Sequence, residues 1–305
     1  MIRQAEDPGI GIKFTGNVSR VINKDGSFNV KRKGVKLKNL NIYYTLINLS
    51  WPKFLSLVFL TYLIINGVFA SLYFFAGTNN LSGAGADTTP RTLLNIFFFS
   101  VHTFTTVGYG NIVPIGILTN LIVAVESLIG ILSLAIATGL LYGRFSRPSA
   151  KITFSKNAII APYGGIKALM FRVANKRTNE LMELEIKVLL TMMEKNNGQY
   201  TRKYYNIKLE RNNVLFFPLT WTVVHPLDES SPLFGMNTEQ MRESEIELLI
   251  LIKGFDDNFS QVVHSRYSYT YDEIILEAKF LPAFTTNDEG SMVLELEKIN
   301  EIEKL

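Results

Sequence analysis

Two stretches of this chain leave almost no choice of environment. Phe54 to Ala76 carries no charged residue, and at about 1.5 Å per residue it crosses the roughly 30 Å hydrocarbon core with length left for tilt. A second apolar run extends from Ile115 to Tyr142 with one acid, Glu126, and ends at Arg144 and Arg147. A backbone in lipid must satisfy its own hydrogen bonds, so runs of this length are spanning helices. Lys31, Arg32, Lys33, Lys36, Lys38 and Lys53 precede the first span, while the connection between the spans carries only Asp87 and Arg91 as full charges. The positive-inside rule then places both termini in the cytoplasm of a multi-pass protein of the cell (plasma or inner) membrane. The first run is too long and too far from the amino terminus for a cleaved signal peptide.

What lies between the spans narrows the chemistry. Residues 77 to 90 read as a loop rich in Gly, Asn, Ser and Thr, and Thr92 to Phe104 is apolar but too short to cross. A short apolar helix between two spans is a re-entrant element, and the irregular backbone after it survives at membrane depth only beside protein or a wet path. That backbone is Thr106-Val107-Gly108-Tyr109-Gly110. A potassium selectivity filter needs a row of carbonyls aimed at one axis to replace the ion's hydration shell. Gly108 and Gly110 reach the left-handed torsions this requires at little steric cost. The Thr106 hydroxyl adds an inner ligand, and Val107 and Tyr109 turn away from the ions. One chain supplies a quarter of each ring, so a homotetramer with K+ bound at the filter, and no other metal or cofactor, follows from the chemistry.

Composition separates a water-soluble part from this membrane part. The 305 residues are 47% apolar and 19% charged, more apolar than an ordinary soluble domain, yet the excess falls before residue 143. Strand-like runs at Lys167–Val173, Leu184–Met192, Val214–Val224, Ile246–Ile252 and Asp272–Phe280, with turn signals such as Asn196-Asn197-Gly198, predict an all-β sandwich, which the family resemblance given below implies is immunoglobulin-like. The acidic stretch Asp288 to Glu303 reads as a solvated helix or tail. No arginine ladder of a voltage sensor and no Gly-x-Gly-x-x-Gly nucleotide motif occurs, and the absence of cysteine excludes disulfides and thiolate sites. The basic residues before the first span, at a net charge of +4, read as a topology signal and an attraction to anionic lipid rather than nucleic acid. His225, Asp228 and Ser230 crowd one loop too closely to form a hydrolytic triad, so no enzyme is expected. The expected domains are a cytoplasmic tail at 1–36, an interfacial amphipathic helix at 37–50 (a slide helix, as the family resemblance given below implies), a pore domain at 51–148 and a cytoplasmic β-sandwich at 149–305.

Several segments together resemble the inward-rectifier potassium channels of the prokaryotic branch. They are Ser50-Trp51-Pro52, the filter, Arg144-Phe145-Ser146-Arg147-Pro148, His225-Pro226-Leu227-Asp228-Glu229-Ser230-Ser231-Pro232-Leu233-Phe234-Gly235, and Ser265-Arg266-Tyr267-Ser268-Tyr269 running into Asp272-Glu273-Ile274-Ile275. The resemblance implies that Gly130 is an inner-helix hinge and that Tyr142 forms a bundle-crossing gate. Gly130, Leu134, Thr138 and Tyr142 recur every four residues and so lie near one helical face that lines a pore. Close helix packing is the other reading of Gly130.

The resemblance also assigns Glu183 to a cytoplasmic pore, and Arg144, Arg147 and Lys151 to anionic phospholipids. Leu134 stands where strong rectifiers carry an acid and Lys253 where another is usual, which implies weak block by polyamines or magnesium. Asn111 follows the filter where bacterial relatives often have Asp. Glu126, an ionisable group inside a span, is expected to support the filter by holding polar groups such as His102 or Thr105. A β-sandwich sensor merely anchored by the spans is the rival reading, and it gives the filter loop no use.

Overall fold

The computed structural model describes residues 4–11, 20–31, 33–34, 41–146, 150–177, 181–196 and 199–305. These form two compact units, one of residues 34–147 and one of residues 1–33 with 148–305. The amino-terminal segment thus groups with the β unit. Residues 37–40 of the expected slide helix, Arg147 and the Asn197-Gly198 turn lie outside the described residues.

The membrane unit contains α1 (Ile42–Asn48), α2 (Trp51–Ala76), α3 (Thr89–Phe104) and α4 (Ile117–Phe145). Proline sits in the first turn of α2 and of α3, where its missing N–H costs nothing, so both helices start about one turn earlier than the charge pattern alone indicates. α2 and α4 are each long and apolar enough to span a bilayer. Phe69, Tyr73, Ile96 and Phe99 form the buried contact of α2 with α3. Short strands β2 (Leu81–Ser82) and β3 (Val113–Pro114) pair antiparallel and tie the loop before α3 to the segment after residues 106–110.

The β unit is a sandwich. One sheet has the order β1 (Gln4–Ala5), β8 (Gln199–Asn206), β7 (Leu181–Asn196), β11 (Glu247–Asp256), β12 (Gln261–Thr270), and β9 (Asn213–Phe216) also pairs with β7. The other has the order β10 (Thr220–Pro226), β6 (Ile166–Asn175), β5 (Ala158–Tyr163), β13 (Ile274–Leu276), with β4 (Ile152–Phe154) on β6. Leu184, Ile186, Leu190, Phe171, Trp221, Leu248 and Tyr269 fill the space between them. The alternation of buried positions along β10 is what a strand with one face on a core requires.

Three expectations are corrected. The run Val214–Val224 is two strands, because Phe217-Pro218-Leu219 separates β9 from β10 and proline has no N–H for a ladder. Asp272–Phe280 is broken by a 3-10 turn at Tyr271–Glu273 and by Glu277, whose φ is +52°. The acidic stretch from Asp288 is no solvated helix, since Met292–Leu294 and Ile302–Lys304 pair with Phe284–Thr286 and Ala278–Phe280.

The amino-terminal stretch, expected to be extended or partly ordered, packs on the β unit at residues 20–29. Gly26 closes the Asn23–Gly26 turn at φ +81°, Val21 and Ile22 are buried against Leu249, and both carboxylate oxygens of buried Glu247 accept from the Val21 amide. Burial raises the Glu247 carboxyl above its usual range, offset in part by bonds from Ser268 and those amides.

Candidate functional site

The loop that follows α3 has left-handed torsions at alternate residues. Thr106, Gly108 and Gly110 have φ of +58°, +57° and +82°, an alternation that turns successive carbonyls to one side of the chain. The end of α3 anchors this conformation. Thr106 N donates to Thr103 O at 3.0 Å, and Val107 N and Gly108 N donate to His102 O at 2.9 and 3.4 Å. The Tyr109 ring meets His102 edge-on at 4.8 Å. At the far end a Cβ on Gly83 would lie 2.4 Å from Asn111 O, so the loop before α3 presses directly on the residue after Gly110. Residues 105–111 are exposed in the single chain, with Tyr109 at 70% and Val107 at 51%.

Behind this loop sits a buried polar cluster drawn from three helices. Glu126 of α4 is fully buried and accepts hydrogen bonds from Tyr73 Oη of α2 and Ser100 Oγ of α3. Ser100 also lies 3.2 Å from the side-chain oxygen of Asn66, whose amide nitrogen donates to Tyr62 O at 2.8 Å. The partners expected for Glu126 are corrected. Thr105 turns its hydroxyl back to Val101 O at 2.7 Å, and His102 faces Tyr109. Two residues along a helix is a rotation of about 200°, so Ser100 faces α2 and α4 where His102 faces Tyr109. Replacing Glu126 by alanine strands the buried Tyr73 hydroxyl, at a cost of about 1–3 kcal/mol, and leaves Ser100 only its longer contacts with Asn66. The expected result is a melting temperature lowered by several degrees in E126A and less in E126Q, measured by thermal unfolding in detergent.

The four inner-helix positions divide. Leu134, Thr138 and Tyr142 are exposed along α4, Leu134 at 70% and Tyr142 at 73%. Gly130 is buried instead, and a Cβ there would lie 2.0 Å from Phe104 O. α4 runs unbroken through it. Gly130 therefore lets the backbone of α4 touch the last turn of α3, just before residues 106–110, rather than presenting an open face with the other three.

The remaining expected sites are placed as follows. Glu183 is exposed with φ +49°, beside the register shift between Lys253 and Phe255 where β7 meets β11, and together with Glu185 and Arg211 it lines a cleft. Lys151 is exposed. Arg144 is half-buried, and its guanidinium donates to Leu46 O, Ile47 O and Leu49 O at 2.7, 2.8 and 2.7 Å. His225 is buried and bonds through Nδ1 to Lys208 O at 2.7 Å and through Nε2 to Ser231 Oγ at 2.8 Å. Because a carbonyl only accepts, Nδ1 carries the proton and Ser231 donates to Nε2. Burial holds this imidazole below its usual value, and Asp228 bonds Ser230 instead.

Comparison with known proteins adds independent findings. Residues 152–305 match the family described as inward rectifier potassium channel C-terminal domain, and residues 57–147 match the family described as ion channel. The chain is 37% identical over 295 residues to the inward rectifier potassium channel Kirbac3.1 of Paramagnetospirillum magnetotacticum, across 96% of this chain and 98% of that one. It is 28% identical to the ATP-sensitive inward rectifier potassium channel 15 of Homo sapiens, across 97% and 84% of the two chains. With inward rectifier potassium channel 4 of Homo sapiens the identity is 25%, across 87% and 68%.

Proposed function

The chain belongs to the inward-rectifier potassium channel family and is a potassium-selective membrane channel, and from that premise we propose that four copies surround one pore whose filter is Thr106, Val107, Gly108, Tyr109 and Gly110. The observation that carries this reading is the alternation of left-handed torsions at residues 106, 108 and 110, in a loop exposed along its length in one chain. An irregular backbone at membrane depth needs protein on one side and a wet path on the other. Neighbouring copies supply the first, and the ion path is the second. Potassium sheds its water onto carbonyl oxygens of residues 106 to 109 and the Thr106 hydroxyl, with each chain contributing one ligand per ring.

The same reading gives the supporting parts their roles. Glu126, held by Tyr73 and Ser100, fixes the pore helix against both spans, and Thr105 closes the helix from which the filter hangs. Leu134, Thr138 and Tyr142 line the cavity below, where four Tyr142 side chains close the path by excluding water, and Gly130 sets the distance between inner helix and filter. Both termini and the β-sandwich are cytoplasmic, Glu183 faces the cytoplasmic ion path, and Lys151 and Arg147 meet anionic phospholipid head groups. Leu134 gives polyamines no carboxylate to bind, so block is weak.

Planar-bilayer recording tests the reading. In a sodium-to-potassium gradient the current should reverse near the potassium equilibrium potential, with shallow block by spermine on the cytoplasmic side. Leu134→Asp should convert this to steep, voltage-dependent block at roughly tenfold lower spermine, as one favourable charge contact of about 1.4 kcal/mol gives. A current reversing near zero would remove the selectivity, and steep block of the unaltered channel would remove the assignment of Leu134.

A further inference from the structure

The two ends of the filter loop are held by different parts of the chain. At its start, carbonyls of the last turn of α3 accept from the amides of residues 106 to 108. Just past its end, the contact comes from the loop that precedes α3. β2 and β3 set Leu81 opposite Pro114 and Ser82 opposite Val113, and Ile115 N donates to Asn80 O at 2.7 Å. Gly83, the next residue along, has φ +86°. A Cβ added there would overlap the Asn111 carbonyl oxygen and stand 3.5 Å from the Asn111 carbonyl carbon and 3.7 Å from Ile112 Cα. All three are backbone atoms, which cannot rotate aside. Glycine is therefore required twice at this position, by torsion and by space.

The loop that makes this contact is itself anchored. Leu81 and Ala84 are buried in one cluster with Ile96 and Phe99 of α3, and Ile112 packs against it. Asn95 Nδ2 of α3 donates to Ala84 O at 3.2 Å, and Ala86 N donates to Thr92 Oγ1 at 3.1 Å. α3 thus fixes the loop, and the loop fixes the Asn111 backbone. Between these supports, no backbone hydrogen bond reaches the Tyr109 or Gly110 amide among the described residues. The outer part of the filter loop depends on where Asn111 is placed.

We propose that Gly83 is a positioning residue for ion selection, which acts through the Asn111 backbone to fix the outer end of residues 106–110 as the end of α3 fixes the inner end. The proposal rests on the reading of those residues as the filter. The inner half is held by hydrogen bonds and the outer half by close packing. When Asn111 is displaced, the outer carbonyls move first, since no amide bond of their own holds them, and their spacing no longer matches a dehydrated potassium ion.

The test is the reversal potential of the full-length channel in planar bilayers under a sodium-to-potassium gradient. Gly83→Ala should lower the potassium-to-sodium permeability ratio roughly tenfold, the scale of one overpacked contact. A glycine needed only for folding would reduce the number of assembled channels and leave the survivors at the wild-type ratio, which would overturn the proposal. Should Gly83→Ala not assemble, Asn95→Ala loosens the same loop and should lower the ratio roughly fivefold, the factor of one ordinary hydrogen bond. Rescue then separates positioning from general damage. Opposed residues of an antiparallel pair have Cα atoms about 4.5–5.5 Å apart, within the span of a disulfide, and the chain has no cysteine of its own. Ser82→Cys with Val113→Cys, oxidised, should leave the otherwise unaltered channel at the wild-type ratio and restore that ratio in Asn95→Ala, with the restoration lost on reduction. An oxidised pair that fails to restore selectivity, or that itself shifts the ratio, would overturn the proposal. Wild-type current reversing near zero would remove the filter reading and the proposal with it, whereas wild-type reversal in Gly83→Ala removes the proposal alone.

Discussion

Replacing Gly130 with alanine should abolish rubidium flux and weaken the assembled channel. The added methyl would stand 2.0 Å from Phe104 O, 2.9 Å from Phe104 C and 3.2 Å from its Cα. All three are atoms of the α3 backbone, which cannot rotate aside as a side chain can. Either α4 moves out, breaking the Glu126 bonds to Tyr73 and Ser100 one turn away, or α3 moves and takes with it the His102 and Thr103 carbonyls that hold the amides of residues 106 to 108. Overpacking of this kind costs about 1–3 kcal/mol, and more where only backbone can yield. The expected readings are flux at the level of empty vesicles and a lowered melting temperature. If alanine here leaves flux near wild type, Gly130 is a hinge or a bystander, and the close contact is not what the position requires.

Gly108→Ala should leave the channel folded and strip it of selectivity. Nothing lies within 4 Å of a Cβ built at Gly108, so space is not the constraint; torsion is, because φ is +57°. An L-residue in that region costs about 1–2 kcal/mol, and the proposed four copies multiply it to about 4–8 kcal/mol per channel. The strain is relieved when the peptide turns, and a turned peptide takes a carbonyl ring away from the ion. The permeability ratio of potassium to sodium, read from reversal potentials, should fall toward one while thermal stability changes little. A selective channel with alanine at this position would show that the alternating backbone is not what selects.

Much of the membrane part is legible in the sequence because its constraints are local. Span length, the missing charges between Phe54 and Ala76, and the two glycines of the filter each act through one segment of chain. The left-handed Thr106 is not legible, since a β-branched residue argues against that torsion; it is held there by the Thr103 carbonyl. The partners of Glu126 depend on the register of three helices, and choosing Ser100 over His102 requires knowing which side of α3 faces α2. Arg144 reads as an exposed base at the end of a span, yet the carbonyls it serves lie nearly a hundred residues earlier. In the β unit, alternation marks β10 and the core strands, whereas the breaks at Pro218 and Glu277 shorten runs that hydrophobicity alone joins. Nothing in the acidic composition after Asp288 reveals the pairing of Ile302–Lys304 with Ala278–Phe280, a contact set by the sandwich surface and not by the segment itself.

The central claim is that this chain conducts potassium through the loop at residues 106–110. Purified protein reconstituted in vesicles loaded with potassium chloride should take up rubidium-86, with uptake blocked by external barium and indifferent to external sodium. Uptake that sodium competes away, or none in vesicles with or without anionic lipid, would contradict it.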